Sequence, residues 1–473
     1  MLLPRLRLRQ RHRPLQSVLP RPCNRRPRRG RVVGGRTLLT VAIESSCDDT
    51  AVAVLSHAPP STALLFNERI SSDNRAFKGV HPVVTVRGHN SSLAPLVRRA
   101  LQHLPDASPS APSIQIPPLS SASGAPLRKQ RPDFVSVTRG PGIMANLAVG
   151  LNMAKGLAVG WDVPLLAVHH MQAHALTPRL ARALGTGASD AGDGGSAGPE
   201  FPFLSLLVSG GHTQLVHSTG PAAHRVVAAT GDIAVGNLLD QAARVILPAD
   251  VLGASPDVMY ARLLESFAFP PAPDGPPDAQ YAFFEPAASR SDEIAPPPTG
   301  HAWDVPLPLR NSRRLAFSFS SIHTRVHRIA AASPAMALAE RRSLARHTMR
   351  AAFQHLCSRL VVALQDRPEL RPAARTIVVS GGVASNKFLL HVLRETLRVR
   401  GYPDAEIVAP PVELCTDNAA MIAWAGVEMF AQGWCSDLGV LPLGKWPMDL
   451  DAGRDGDGIL GVGGWTRTRR EER

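Results

Sequence analysis

No uninterrupted apolar run in the 473 residues approaches the roughly 20 that a membrane-spanning helix needs, so no membrane partner is expected. The cysteines are few and unpaired in pattern. Cys23, Cys47, Cys357, Cys415 and Cys435 make an odd count with no Cys-x-x-Cys, which argues against both a disulfide framework and a cysteine zinc site. Acidic residues are missing from the start of the chain, and the first is Glu44. Twelve arginines lie between Arg5 and Arg36, so most of the formal charge of +14 sits there and only about +2 is left for the remainder. The basic balance therefore describes one end of the chain and not the whole of it.

That end, residues 1–37, is arginine-rich and acid-free, with leucines and valines scattered among the charges. It fits a mitochondrial targeting leader removed before Leu38, which predicts location in the matrix. A basic RNA-binding arm is the other reading of the same composition.

Past the leader, Leu38 to Glu44 and Ala51 to Leu55 are apolar strand candidates flanking the polar turn Ser45-Ser46-Cys47-Asp48-Asp49-Thr50. The design returns at Phe203 to Val208, the turn Ser209-Gly210-Gly211-His212-Thr213, and Gln214 to Val216. A second pair also repeats: Phe134 to Thr138 leads through Arg139-Gly140-Pro141-Gly142 into a helix over Ala145 to Val159, and Thr376 to Ser380 leads through Gly381-Gly382 into a helix carrying Leu389, Val392, Leu393 and Thr396. Two related α/β halves facing across a cleft follow, one over 38–180 and one over 201–445. Small residues in the four turns would let backbone N–H groups approach a phosphate.

Other stretches read differently. Residues 105–131, 184–198 and the Pro-interrupted 269–308 are expected to be mobile surface loops, and 446–473 a frayed tail. Between Leu338 and Leu364, apolar residues at three- and four-residue spacing predict a long packed helix.

If the segment up to Thr177 is helical before Pro178, His170 and His174 stand four apart on one face and can share a metal ion. Asp417, expected in the first turn of a later helix, would be the third ligand. Two imidazoles and a carboxylate with open positions suit iron or zinc and can polarise a substrate oxygen.

Five ordered motifs carry a resemblance. Ile43 to Thr50, His169-His170-Met171-Gln172-Ala173-His174, Leu207 to Thr213, Ser380-Gly381-Gly382-Val383-Ala384-Ser385-Asn386 and Cys415 to Ala423 resemble those of the tRNA threonylcarbamoyladenosine transferases, over Leu39 to Trp446. The resemblance implies a duplicated actin-like α/β fold with a central cleft. It implies transfer of threonylcarbamoyl from threonylcarbamoyl-AMP, made by a separate synthase, to the exocyclic amine of the adenosine 3′ of the anticodon in tRNAs reading codons that begin with A. In the organellar branch, which the leader favours, it implies a homodimer. By resemblance His170, His174 and Asp417 hold the metal; Leu207, Val208, Ser209, Gly210 and Gly211 touch the donor; Asp240, Ser255 and Asn386 sit at its adenosine part; and Asp48 and Asp49 lie at the reacting end.

Some positions depart from the family pattern. Val83 follows Pro82 where the family has an acid, although His89 remains; Asn237 replaces a glutamate; Gly253-Ala254-Ser255-Pro256 replaces Pro-Gly-Gly-Pro; and His323 replaces a lysine. Three rival readings share parts of this pattern. A metalloprotease would need a glutamate where Met171 follows His170. A sugar kinase or ATPase suits the fold but has no use for a His-His-Asp site. A non-catalytic scaffold would accommodate the lost lysine and glutamate.

Overall fold

The computed structural model describes residues 37–449 and 458–467, except 75–76, 78, 120–124, 187–198, 256–258, 271–278 and 296–297. The leader through residue 36 and most of the 184–198 stretch lie outside the described residues.

The apolar run expected as the first strand is β1 (Leu38–Glu44), which turns back as β2 (Asp49–Ala58) and β3 (Ser61–Ser71). Helix α1 (Pro82–Gln102) and a small hairpin, β4 (Ser113–Ile116) with β5 (Leu127–Gln130), precede β6 (Phe134–Gly140), α2 (Met144–Trp161), β7 (Leu165–His169) and α3 (His170–Ala183). The second half opens with β8 (Phe203–Val208), β9 (Thr213–Ser218) and β10 (His224–Ala229). It continues through α4 (Val235–Ile246), α5 (Ala249–Gly253), α6 (Ala261–Ala268), α7 (Arg290–Ile294), α8 (Ser320–Ala332), α9 (Leu338–Asp366), β11 (Thr376–Ser380), α10 (Lys387–Val399) and β12 (Glu406–Val408). The chain ends with α11 (Val412–Cys415), α12 (Ala419–Ala431), β13 (Trp434–Ser436) and β14 (Trp465–Arg467).

The internal repeat is real at the level of topology. One sheet has the order β14-β13-β7-β6-β1-β2-β3 and the other β10-β9-β8-β11-β12. In each, a three-strand antiparallel meander is extended by two parallel strands, β1 beside β6 beside β7 and β8 beside β11 beside β12. This is the duplicated actin-like α/β architecture. β1 is apolar at all but Thr40 and Glu44 because helices cover both of its faces. Leu39, Val41 and Ile43 face α1 and α2, whereas Ala42 faces α3 and α12.

Several expectations are corrected. The span 201–445 is not one unit, because α12 packs on the first sheet and β13 and β14 extend that sheet's β7 edge. Nor is the tail frayed throughout: Trp446, Met448 and Ile459 are buried and Trp465 pairs with Ser436. Within 269–308, Phe269, Tyr281, Phe284 and Val305 enter the second core, and the Tyr281 hydroxyl donates to Glu265 at 2.8 Å. Within 105–131, Ile114 and Ile116 of the hairpin are buried. Among the described residues, spaced aromatics and isoleucines supply the apolar area that holds these segments. Helix α3 runs through Pro178 to Ala183 instead of ending at Thr177.

Candidate metal centre and its cleft

The two histidines are brought together as their spacing requires. His170 opens α3 and His174 follows one turn later, their ring centroids 4.7 Å apart. Asp417 reaches them from outside any helix, since α12 begins at Ala419 with Asn418 as its cap, the Asn418 Oδ1 accepting the Met421 N–H at 3.0 Å. Asp417 Oδ1 lies 3.1 Å from His174 Nε2 and 3.6 Å from His170 Nε2. The three possible ligand atoms lie within 4.8 Å of one another.

A residue that carries no assigned role in the sequence stands behind them. Glu44, wholly buried at the end of β1, accepts the Ser46 N–H at 2.6 Å and the Thr138 hydroxyl, and its Oε2 lies 3.2 Å from His170 Nδ1. The available signal is an acid closing an apolar strand, which is costly unless the carboxylate is fully hydrogen-bonded. Burial disfavours charge on His170, but Asp417 and Glu44 outweigh it and raise the imidazole to about 9. Burial likewise opposes ionisation of Asp417, while His170 and His174 pull its carboxyl far below the usual range. Concentrated opposite charge at a partly exposed carboxylate, with Nε2 of both histidines turned toward it, is what a divalent cation would satisfy. The donor set therefore fits a metal ion.

The first turn of the repeat lies beside it. His89 holds the turn from behind, its Nδ1 2.8 Å from the Thr50 hydroxyl and its Nε2 3.0 Å from the Cys47 carbonyl. Burial, then Asp48 and Asp417, push the Cys47 thiol upward, so all three share one field. Asp49 accepts from the Ser71 hydroxyl and lies 3.6 Å from Arg69. Its carboxyl is raised to about 6, by burial first, with Ser71 and Arg69 opposing and Asp48 and Asp417 reinforcing. Arg69 also donates to Thr416, tying β3 to the segment that delivers Asp417.

The second turn contributes backbone. Ser209 and His212 close it reciprocally, Ser209 N–H to the His212 carbonyl at 2.9 Å and His212 N–H to Ser209 Oγ at 3.0 Å. Leu207 and Val208 side chains are wholly buried, leaving main chain as what they can offer a ligand. A Cβ at Gly236 would lie 2.6 Å from the Ser209 carbonyl oxygen, and one at Gly381, which has φ +101°, would lie 2.5 Å from that of Val208. Glycines from α4 and from the β11 turn thus grip this turn from two sides. Among the described residues, nothing lies within 4 Å of where a Cβ of Gly210 or Gly211 would point. His212 is held down to about 4 by burial and by His170 and His174, which makes it a neutral neighbour of the metal centre.

The remaining expected contacts are already engaged. Asp240 takes two N–H donors of Arg244 at 2.9 and 2.8 Å and the Tyr260 N–H at 2.9 Å, the arginine stacked over the Tyr260 ring. Asn386 caps α10 by accepting the Leu389 N–H at 3.0 Å. Ser255 follows α5, its N–H on the Leu252 carbonyl.

Residues 120–424 match the family profile described as tRNA N6-adenosine threonylcarbamoyltransferase. The mitochondrial tRNA N6-adenosine threonylcarbamoyltransferase of Schizosaccharomyces pombe is 35% identical over 449 residues, 92% of this chain and 91% of that protein. The chain belongs to the tRNA N6-adenosine threonylcarbamoyltransferase family. A bacterial member from Chelativorans is 33% identical over 422 residues, covering 87% of this chain and 95% of its own length. The chain is thus a transferase that acts on tRNA adenosine. Of the positions that depart from the family pattern, Val83 is exposed at the start of α1, Asn237 stands in the first turn of α4, and the His323 and His327 rings lie tilted to each other with centroids 4.2 Å apart.

Proposed function

We propose that the donor is threonylcarbamoyl-AMP and the acceptor the N6 amine of the adenosine 3′ of the anticodon in mitochondrial tRNAs reading codons that begin with A. The observation that carries this reading is the convergence of His170, His174 and Asp417 beside the backbone turn Ser209-Gly210-Gly211. A bound iron or zinc ion, held by His170, His174 and Asp417, would act as a Lewis acid toward the threonylcarbamoyl oxygens. The Ser209–Gly211 turn would take the phosphate on backbone N–H groups, and Asp240, Ser255 and Asn386 would flank the adenosine.

The adenine amine attacks the carbamoyl carbon, the bond from that carbon to the phosphate oxygen breaks, and AMP leaves with the electron pair. The amine loses a proton, for which Asp49, with its carboxyl near 6, is suited, while Asp48 beside it orients the amine. The donor is already activated, so alignment supplies much of the acceleration. The donor would come from a separate synthase, and the working protein would be a homodimer in the mitochondrial matrix. The named mitochondrial relative and the arginine-rich leader support that location.

The test supplies threonine, bicarbonate, ATP, a threonylcarbamoyl-AMP synthase and unmodified tRNA to leaderless, metal-loaded protein. Modified adenosine beside the anticodon is the expected product. No product under conditions where the S. pombe relative makes it would overturn the reading. Rapid sugar-dependent ATP turnover, or metal-dependent peptide cleavage, would favour the kinase or protease instead.

A further inference from the structure

His169 precedes the two ligand histidines and is itself almost wholly buried. Its ring uses both nitrogens. Nδ1 accepts the N–H groups of Met171 at 3.1 Å and Gln172 at 3.3 Å, capping α3 in place of a Ser, Thr, Asn or Asp. Nδ1 can accept only if the proton is on Nε2, and Nε2 lies 3.0 Å from the Trp446 carbonyl, to which it donates. The capping tautomer is thus set by the C-terminal segment.

That segment is anchored well beyond Trp446. The Trp446 and Trp465 indole N–H groups both donate to the Ile459 carbonyl at 3.2 Å, and Arg139 Nη1 donates to the Gly463 carbonyl at 2.8 Å. Ile459, Trp446 and Met448 share one apolar cluster with Met171 and Ala175 of α3 and with Leu207 and Val216 of the second half. Met171 and Ala175 each directly follow a ligand histidine, and Leu207 lies two residues before Ser209. One stretch of chain therefore backs both walls of the cleft.

We propose that residues 446–449 and 458–467 form a clasp that sets the position of the metal-binding helix relative to the donor turn, and that His169 is the positioning residue through which it acts. This rests on the metal reading above. His169 touches no reacting atom. Its effect passes through the start of α3, where a rotation of a few degrees would move His170 and His174 unequally relative to Asp417.

Two full-length variants separate the clasp from mere stability. His169→Asn keeps a good helix cap but is too short to reach the Trp446 carbonyl as well; Ile459→Ala loosens the clasp without touching α3's hydrogen bonds. The readouts are the Co(II) dissociation constant by chelator competition, the visible absorption of the Co(II) form, amide exchange over residues 171–177, and kcat against KM for tRNA. Both variants should weaken Co(II) binding on the order of 10-fold, the size typical of outer-sphere partners. They should also shift the absorption band, speed exchange in α3 and lower kcat with KM for tRNA unchanged. Wild-type Co(II) affinity, spectrum and exchange in both variants, even with a lower Tm, would overturn the clasp. If the wild type itself takes no Co(II), the metal reading fails, and exchange alone decides: faster exchange in α3 supports the clasp and unchanged exchange overturns it.

Discussion

Glu44 Oε2 lies 3.2 Å from His170 Nδ1, a carboxylate on a central strand fixing the tautomer of a histidine on a helix. With the Nδ1 proton held by Glu44, the proton that a bound metal ion would displace is the one on Nε2, which faces the Asp417 oxygen 3.6 Å away. Glu44→Gln keeps the shape but loses the charge, and metal affinity should fall about 10- to 100-fold. Glu44→Ala also strands the Ser46 N–H, the Thr138 hydroxyl and the imidazole, and should destabilise by about 3 kcal/mol. Chelator competition and urea unfolding check the two. An unchanged metal dissociation constant in Glu44→Gln would show that His170 needs no such partner.

Gly236→Ala tests the grip on the donor turn. The new Cβ would press on the Ser209 carbonyl at 2.6 Å and on the Gly210 nitrogen at 2.8 Å. Because the turn and not the sheet must yield, the protein should stay folded. Protection of the protein against heat by AMP should weaken, corresponding to about tenfold lower affinity, or about 1.4 kcal/mol. AMP protection equal to wild type would place the nucleotide away from this turn.

The duplicated strands, the long α9 and the His170, His174, Asp417 trio were legible because each leaves a local trace: an apolar run, a three-to-four periodicity, or a motif. What was not legible depends on distance along the chain. Helix α12 returns from the second half to cover β1, and nothing within Ala419–Ala431 says which sheet its apolar faces will meet. The Gly- and Arg-rich tail hides three anchors, Trp446, Ile459 and Trp465, too widely spaced to give a periodicity. Glu44 was visible as part of a motif, but its partner His170 is 126 residues away, so its role emerges only when the fold closes.

Asp49 should give the enzyme an acid limb. With its carboxyl at about 6, activity that depends on the ionised form should fall as pH drops through that value. Stability runs the other way. An ordinary aspartate titrates near about 4, so the folded protein holds this proton more tightly than the unfolded chain; the stability so gained is present below pH 4 and is lost as pH rises through 6. Asp49→Asn, always neutral, should therefore match wild type in stability near pH 4, exceed it above pH 6, and be slow throughout. Equal rates for variant and wild type at pH 7 would remove Asp49 from the reaction, leaving Asp48 as the carboxylate to test.

Asp417→Ala separates donor activation from tRNA binding. The carboxylate faces His170 and His174 from a partly exposed position, and its loss leaves two imidazoles on an open site, which bind a metal weakly. The variant should retain little of the single iron or zinc equivalent expected in wild type. Transfer should be nearly abolished while tRNA affinity changes by less than about twofold, because the clamp on the donor is removed and not the contacts to the acceptor. Beyond the leader the net charge is only about +2, so those contacts must be local, and raising salt should weaken tRNA binding equally in wild type and variant. Metal analysis, a filter-binding salt series and nucleoside analysis of the reacted tRNA decide it. A variant that loses tRNA affinity in step with its metal would mean that the ion orders the tRNA surface as well, and the division between donor clamp and acceptor surface would have to be redrawn.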